Sequence, residues 1–161
     1  MASLCLNLGC GEKALPSSSG ETWTNLDSTD FPGVDVVHDL HHPLPFEDES
    51  FDYILLDNVL EHFERPAAVR LINEMDRVLV DEGKVKIVVP HWASQAQWQD
   101  PTHISAWPPR AALYWNQTES RYGGRRVGVT ANFYADKIKE SGSKKREAFV
   151  TFFLTKKIPK T

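Results

Sequence analysis

Four kinds of residue in this sequence could do chemistry. The first is the glycine pair Gly9 and Gly11 in LCLNLGCGEK, split by Cys10 and placed just after Leu4, Leu6 and Leu8. Such a pair can close an ordinary tight turn, or it can let backbone lie against a bound nucleotide. The second is a series of carboxylates, Asp27, Asp39 and Asp57, each near the end of an apolar run: WTNLD, VDVVHDL and FDYILLD. A carboxylate there either caps a turn by accepting from nearby amides or receives hydrogen bonds from a ligand.

The third kind can move a proton near neutral pH: His62, His91, Asp100 and His103. His91 directly follows the run KVKIVVP, where it suits a general base and equally a hydrogen bond to a loop carbonyl. His103 and Asp100 in DPTH can pair, for catalysis or simply to fix their loop. His91, Asp100 and His103 also have the donor types of a transition-metal site, but their spacing is not a zinc signature, and no metal is expected. The fourth kind is aromatic. Trp92, Trp98, Trp107, Tyr114 and Trp115 could line an acceptor site by stacking on a flat group, or could cover a sheet edge.

These residues need elements to position them. The apolar run at 4–8 predicts a buried strand leading into the glycine turn. ALPSSSGE follows, rich in turn formers, so any first helix is short. WTNLD and VDVVHDL predict two more strands. HHPLPFEDES, with Pro43 and Pro45, is a connector. FDYILLDNVLEHF begins as a buried strand and enters a polar turn at Asp57 and Asn58. Ala68, Leu71, Ile72, Met75, Val78 and Leu79 fall on one face of a helix over 66–79, with Pro66 in its first turn. DEG is expected to end that helix before a strand at KVKIVVP. Residues 91–110 read as an active-site loop or cap, and a short helix is expected around PRAALYW. GRRVGVTANFYADKI and REAFVTFFLTKK predict the last strands, joined by a sharp antiparallel return at GSKK, with AFVTFFL interior. The alternation of strands and helix is that of an open α/β sheet, and the apolar-rich strands predict that both sheet faces are covered.

Composition bounds the reading. At 161 residues and 41% hydrophobic, the chain predicts a single domain over 1–161 with a substantial core. A net charge of −4 argues against a general nucleic-acid coat or a basic membrane surface. No apolar run reaches membrane-spanning length, and no secretory pattern opens the chain, so a cytoplasmic setting is expected. Two cysteines are too few for a disulfide scaffold, and Cys5 reads as a small core filler.

The ordered stretches LNLGCGEK, WTNLD, VHDLHHPLPFEDESFDYILLDNVLEHF and NEMDRVLVDEGKVKIVVP resemble the small class I S-adenosylmethionine-dependent methyltransferases, of the type 11 kind, over nearly all of residues 4–90. The resemblance implies a three-layer, Rossmann-like fold with a mostly parallel seven-stranded sheet, here with a shortened first helix. It implies S-adenosylmethionine as cofactor, lying over Leu8, Gly9, Cys10 and Gly11. Asp27 would hold the ribose hydroxyls, and Asp39 and Leu40 would frame adenine. Asp57 and Asn58 would lie near the methionine portion, with His62 near the reaction side. The chain differs from the family pattern in having Asn7 for the usual acid, Lys13 for a third glycine, and VDEGK for a glycine-rich turn. Asn7 can still hydrogen-bond the cofactor amine. The nicotinamide alternative is disfavoured, because Gly9 and Gly11 are followed by Ala14 where the G-x-G-x-x-G pattern needs its last glycine.

The expected activity is methyl transfer to a small-molecule or glycan acceptor. A methyltransferase acting on nucleic acid, drawn to the basic runs RYGGRR, SGSKKR and TKKIPKT, is one alternative. A noncatalytic methyltransferase-like binding subunit is another.

Overall fold

The computed structural model describes residues 2–116, 127–142 and 147–157. Strands β1 (Ser3–Leu8), β2 (Glu21–Asp27), β3 (Val36–Val37), β4 (Phe51–Asp57), β5 (Leu79–Pro90), β6 (Phe133–Gly142) and β7 (Ala148–Lys156) form one sheet. Their spatial order is β3-β2-β1-β4-β5-β7-β6. The first five run parallel, β7 is antiparallel to β5, and β6 is antiparallel to β7. The order reverses beside β1, so the carboxyl ends of β1 and β2 open onto the crevice where α/β sheets receive ligands.

Helix α1 (Arg65–Val78) connects β4 to β5. Pro66 sits in its first turn, where the missing amide costs nothing. Ala68, Leu71, Ile72, Met75 and Val78 are buried against Leu6, Leu8, Ile54, Leu56, Val85 and Ile87 of the sheet. The DEG sequence does not end the helix as expected. The chain passes straight from Val78 into β5, where Leu79 pairs with Phe51. Residues 80–83 then form an irregularity with Glu82 at φ +59°, after which Tyr53 opposes Lys84. A helix α2 (Gln95–Gln99) and a 3-10 segment at Pro109–Tyr114 lie between β5 and β6. The latter carries the short helix expected around PRAALYW.

Two further expectations change. The expected third strand shrinks to Val36–Val37, flanked by aspartates whose side chains take backbone amides. Asp35 accepts from the Asn25 amide at 2.7 Å, and Asp39 from the His41 amide at 2.9 Å. The shortened first helix is reduced to a turn in which the Lys13 amide donates to the Cys10 carbonyl. Polar ties replace it. Asn7 donates to the Asn25 side chain (3.1 Å) and the Lys13 carbonyl (3.2 Å), and Asn25 bonds both the amide and the carbonyl of Leu15.

The helical layer lies on one face only, among the described residues. Residues alternate across each strand. Leu6, Ile54, Ile87 and Phe152 point into the core, and their neighbours Cys5, Tyr53, Lys86 and Phe153 share the other face. On that face Trp23 packs edge-on against Tyr53, Lys139 lies over Phe153, and Lys84 reaches Thr155. AFVTFFL is therefore half interior: Val150, Phe152 and Leu154 are buried, while Phe149, Thr151 and Phe153 are partly exposed.

Arg77 near the end of α1 fixes the proline-containing connector. Its guanidinium donates to the carbonyls of Leu44 (3.0 Å) and Phe46 (2.8 Å), to Asp48 (2.8 Å) and to both oxygens of Glu74. The Leu44 amide in turn donates to Glu74. These partners hold the Arg77 pKa above its ordinary value and that of Glu74 below. Replacing Arg77 takes the guanidinium from two carbonyls and leaves the partly buried Glu74 carboxylate with only the Leu44 amide. Arg77→Ala is expected to lower stability by about 2–4 kcal/mol in urea denaturation. A loss under about 0.5 kcal/mol, the ordinary range for a surface change, would contradict the anchoring role.

Candidate functional site

The glycine turn is bound to the end of β2. Gly9 and Cys10 amides both donate to the Leu26 carbonyl, at 2.8 and 3.1 Å. Gly11 donates to one oxygen of Asp27 (2.8 Å), and Thr29 to the other (2.9 Å). Each carboxylate oxygen keeps a further acceptor site. Gly9 has φ +67°, and a Cβ there would stand 2.6 Å from Cγ2 of Val59. Glycine at this position therefore meets both a backbone and a steric requirement.

A cleft of about 260 Å³ opens over this turn, near the lower end of small-molecule sites at roughly 300–1,000 Å³. It is lined by Gly9, Asp27, Asp39, Leu40, Asn58 and His62 from the sequence analysis, and by Ser28, His41, Val59 and Phe63, which that reading missed. Asn58 takes a left-handed φ of +57°, and its amide donates to Val88. Asp39 accepts from both the backbone and the ring of His41, and these hydrogen bonds hold its carboxyl below the ordinary range. The His41 ring stacks on Phe63 at 4.5 Å. The signals for the missed residues were present in the sequence: His41 immediately follows the Asp39–Leu40 pair, and Val59 and Phe63 lie within the NVLEHF stretch.

The remaining cofactor candidates do not line the cleft. Leu8 is core, Asn7 and Cys10 are buried, and Asn7 is engaged beneath the turn. Gly11 supports the turn by bonding Asp27. Asp57 is exposed and accepts from Asn58.

Of the proton-transfer candidates, His91 is a structural tie rather than a presented base. It is fully buried, with Nε2 2.6 Å from Glu140 and Nδ1 accepting from the Ala93 amide. Both ring nitrogens are thus occupied. The other three converge. The His62 and His103 rings meet edge-on at 4.8 Å, and Asp100 lies 3.7 Å from Nε2 of His103. Asp100 accepts from the Thr102 hydroxyl and amide, which lowers its pKa. Burial lowers the pKa of His62, with His103 acting in the same direction.

Glu61, which the sequence reading did not single out, completes this group. It lies in the 3-10 turn Leu60–His62 that follows β4. Its carbonyl accepts from the Ile104 and Ser105 amides, which brings the DPTH loop onto it. Its side chain is fully buried, and burial pushes its carboxyl up to about 7.

The aromatic candidates separate. Trp107 and Trp115 are buried; Trp107 donates to Leu60 and Ser105, and Trp115 packs on Phe152. Trp92, Trp98 and Tyr114 are exposed. Trp107, Tyr114 and Trp115 border a second cavity, of about 490 Å³ beside α1, which shares no lining residue with the cleft. RYGGRR, together with residues 143–146 and 158–161 of the other basic runs, lies outside the described residues. No helix among the described residues is long and apolar enough to cross a membrane.

A model of the methyltransferase domain family matches residues 6–87, about half of the chain. A protein of Methanocaldococcus jannaschii described as uncharacterized is 42% identical over 55 residues, 34% of this chain. Those residues make up 26% of that relative, so the match spans about a quarter of its length. The fold is similar to a Pyrococcus horikoshii protein of known structure, with TM-score 0.64 and 14% identity over 98% of this chain and 84% of that one. It is also similar to a Burkholderia thailandensis 1,6-didemethyltoxoflavin-N1-methyltransferase, whose structure holds 1,6-didemethyltoxoflavin and S-adenosylhomocysteine. There the TM-score is 0.65 and the identity 13%, over 98% of this chain and 72% of the other.

The steric role of Gly9 gives a direct test. Gly9→Ala must hold a left-handed residue and push Val59 aside, and it is expected to cost about 2–4 kcal/mol in thermal or urea unfolding. Gly11→Ala, where a Cβ would meet nothing within 4 Å, should cost only the backbone part, about 1–2 kcal/mol. Equal losses for the two variants would remove Val59 from the argument.

Proposed function

The chain belongs to the methyltransferase domain family, and on that premise we propose that it moves a methyl group from S-adenosylmethionine to a small-molecule or glycan acceptor. The observation that carries this reading is the Asp27 carboxylate, held over the glycine turn at the mouth of the cleft by the Gly11 and Thr29 amides. Its two remaining acceptor positions suit the adjacent hydroxyls of a ribose.

The other lining residues fit the same cofactor. Gly9 has no side chain to crowd the cleft floor. Asp39 is held ionised beside Leu40, where it can accept from an adenine amino group, and the His41–Phe63 pair forms a flat wall next to it. Asn58 lies at the end of β4, towards the methionine portion. The sulfonium cofactor supplies a methyl group already activated for transfer to an electron-rich atom. The chain's task is to align donor and acceptor, a gain of positional order rather than new bond chemistry. His62 borders the cleft and is the candidate proton-transfer group placed to meet the acceptor; Asp100 and His103 stand with it. A cleft without a strongly basic lining and a net charge of −4 support a small-molecule or glycan acceptor over nucleic acid.

The test is calorimetric titration with S-adenosylhomocysteine, wild type beside Asp27→Ala, with circular dichroism to verify folding. Loss of a charge-assisted partner is worth roughly 1.5–3 kcal/mol, so affinity should fall about tenfold to hundredfold. Equal affinities would reject the ribose assignment. No binding by folded wild-type protein at about millimolar ligand, where even a weak site registers, would reject the cofactor reading itself.

A further inference from the structure

Glu61 is fully buried, and neither of its carboxylate oxygens has a hydrogen-bond partner among the described residues. An unpartnered buried carboxylate is costly, so its surroundings should show what satisfies it. Those surroundings are imidazoles. One ligand atom each from Glu61, His62 and His103 lie within 4.8 Å of one another. Nε2 of His103 stands 4.0 Å from Glu61 and 3.7 Å from Asp100.

The hydrogen-bond roles show why the group is incomplete. Nδ1 of His103 lies 3.3 Å from the Gln97 carbonyl, and a carbonyl can only accept. Nδ1 therefore carries a proton, and Nε2 is the ring nitrogen that faces the two carboxylates. His62 is fixed in the same way by the Thr102 carbonyl, 3.2 Å from its Nδ1. The Thr102 hydroxyl donates to Asp100 instead. Three groups with metal-ligand atoms thus converge, with Glu61 and His103 too far apart to bond each other, and second partners orient both rings as they do in metal sites.

We propose that Glu61, His62 and His103 bind a divalent transition-metal ion, with His62 then serving as a ligand in place of a proton-transfer role. Two imidazoles with a carboxylate suit zinc and its first-row neighbours. Ligand bonds of about 2.0–2.2 Å would draw these side chains inward by roughly an ångström or less. His62 and His103 have partly accessible side chains, and His62 also lines the cleft, so an ion enters from that side. A coordination position left open by these three ligands would take an oxygen or nitrogen donor. This placement is not the His91, Asp100 and His103 grouping whose donor types stand out in the sequence. His91 is committed to Glu140 and does not join the cluster.

The experiment is titration of chelator-treated full-length protein with Zn²⁺ by calorimetry, and with Co²⁺ by visible absorption. It reads metal alone, so its outcome is separate from that of cofactor binding. The wild type is expected to take up about one equivalent of Zn²⁺, and to give Co²⁺ a low-symmetry visible spectrum. Glu61→Gln and His103→Ala are each expected to weaken zinc binding about tenfold or more, while His42→Ala binds as wild type does. Glu61→Gln keeps the side-chain shape and guards against loss of fold. Absence of saturable zinc binding by the wild type would overturn the site. So would binding that survives both cluster substitutions, or that is lost in His42→Ala, since the ion would then sit on the surface imidazoles beside Asp39.

Discussion

The constraint on which the site depends is the capture of the glycine turn by the end of β2. The Leu26 carbonyl accepts two successive amides, from Gly9 and Cys10, and the next residue, Asp27, accepts a third from Gly11. Two adjacent parallel strands thus end as one unit. Val59, just past the end of β4, closes over Gly9 and leaves no room for a β-carbon there. A helix following β1 would ordinarily hold such a turn in an α/β sheet. Here that work falls to Asn7 and Asn25, whose amides hold the segment 13–15 against the strands. Asn7 in place of the usual acid suits this work: its Nδ2 donates to Asn25 and to the Lys13 carbonyl, which a carboxylate could not do.

The placement of the helical elements organises the rest. With α1 on one face, the described residues between β5 and β6 make several of their ties to α1 and to the turn after β4. Asn73 and Asp76 of α1 accept from amides at Thr130, Ala131 and Asn132. Arg65 lies over Trp107, whose indole donates to Leu60. The Glu61 carbonyl draws in Ile104 and Ser105. These ties bring the DPTH loop beside the short turn after β4, so groups some forty residues apart meet next to the cleft. Glu61 then has both carboxylate oxygens buried without a hydrogen-bond partner among the described residues.

Much of this was legible in the sequence, for physical reasons that differ by element. The α1 face follows from a 3.6-residue period, and β1, β2 and β4 from short apolar runs closed by Gly or Asp. The ligand end of the sheet was legible because Gly9, Asp27, Asp39 and Asn58 are all close to strand ends. Coverage of the sheet was not. Lys84, Lys86, Thr151 and Phe153 alternate with core residues, but Tyr53, Leu55 and Val88 are apolar on the less covered face, which blurs the period of two. The role of His91 stays open in the sequence because its position after a strand suits a base, while its partner Glu140 is supplied by a distant antiparallel strand. Glu61 was overlooked because burial of a carboxylate beside two leucine-rich segments is a tertiary fact with no local signature.

The central claim is that the cleft over the Gly9 turn holds the nucleoside of S-adenosylmethionine through Asp27. A crystal structure of the protein with S-adenosylhomocysteine tests it most directly. The account predicts both ribose hydroxyls within hydrogen-bonding distance of the Asp27 carboxylate, with adenine beside Asp39, Leu40 and the His41–Phe63 pair. Ligand bound instead in the cavity bordered by Trp107 and Trp115, or in the cleft with its ribose away from Asp27, would contradict it.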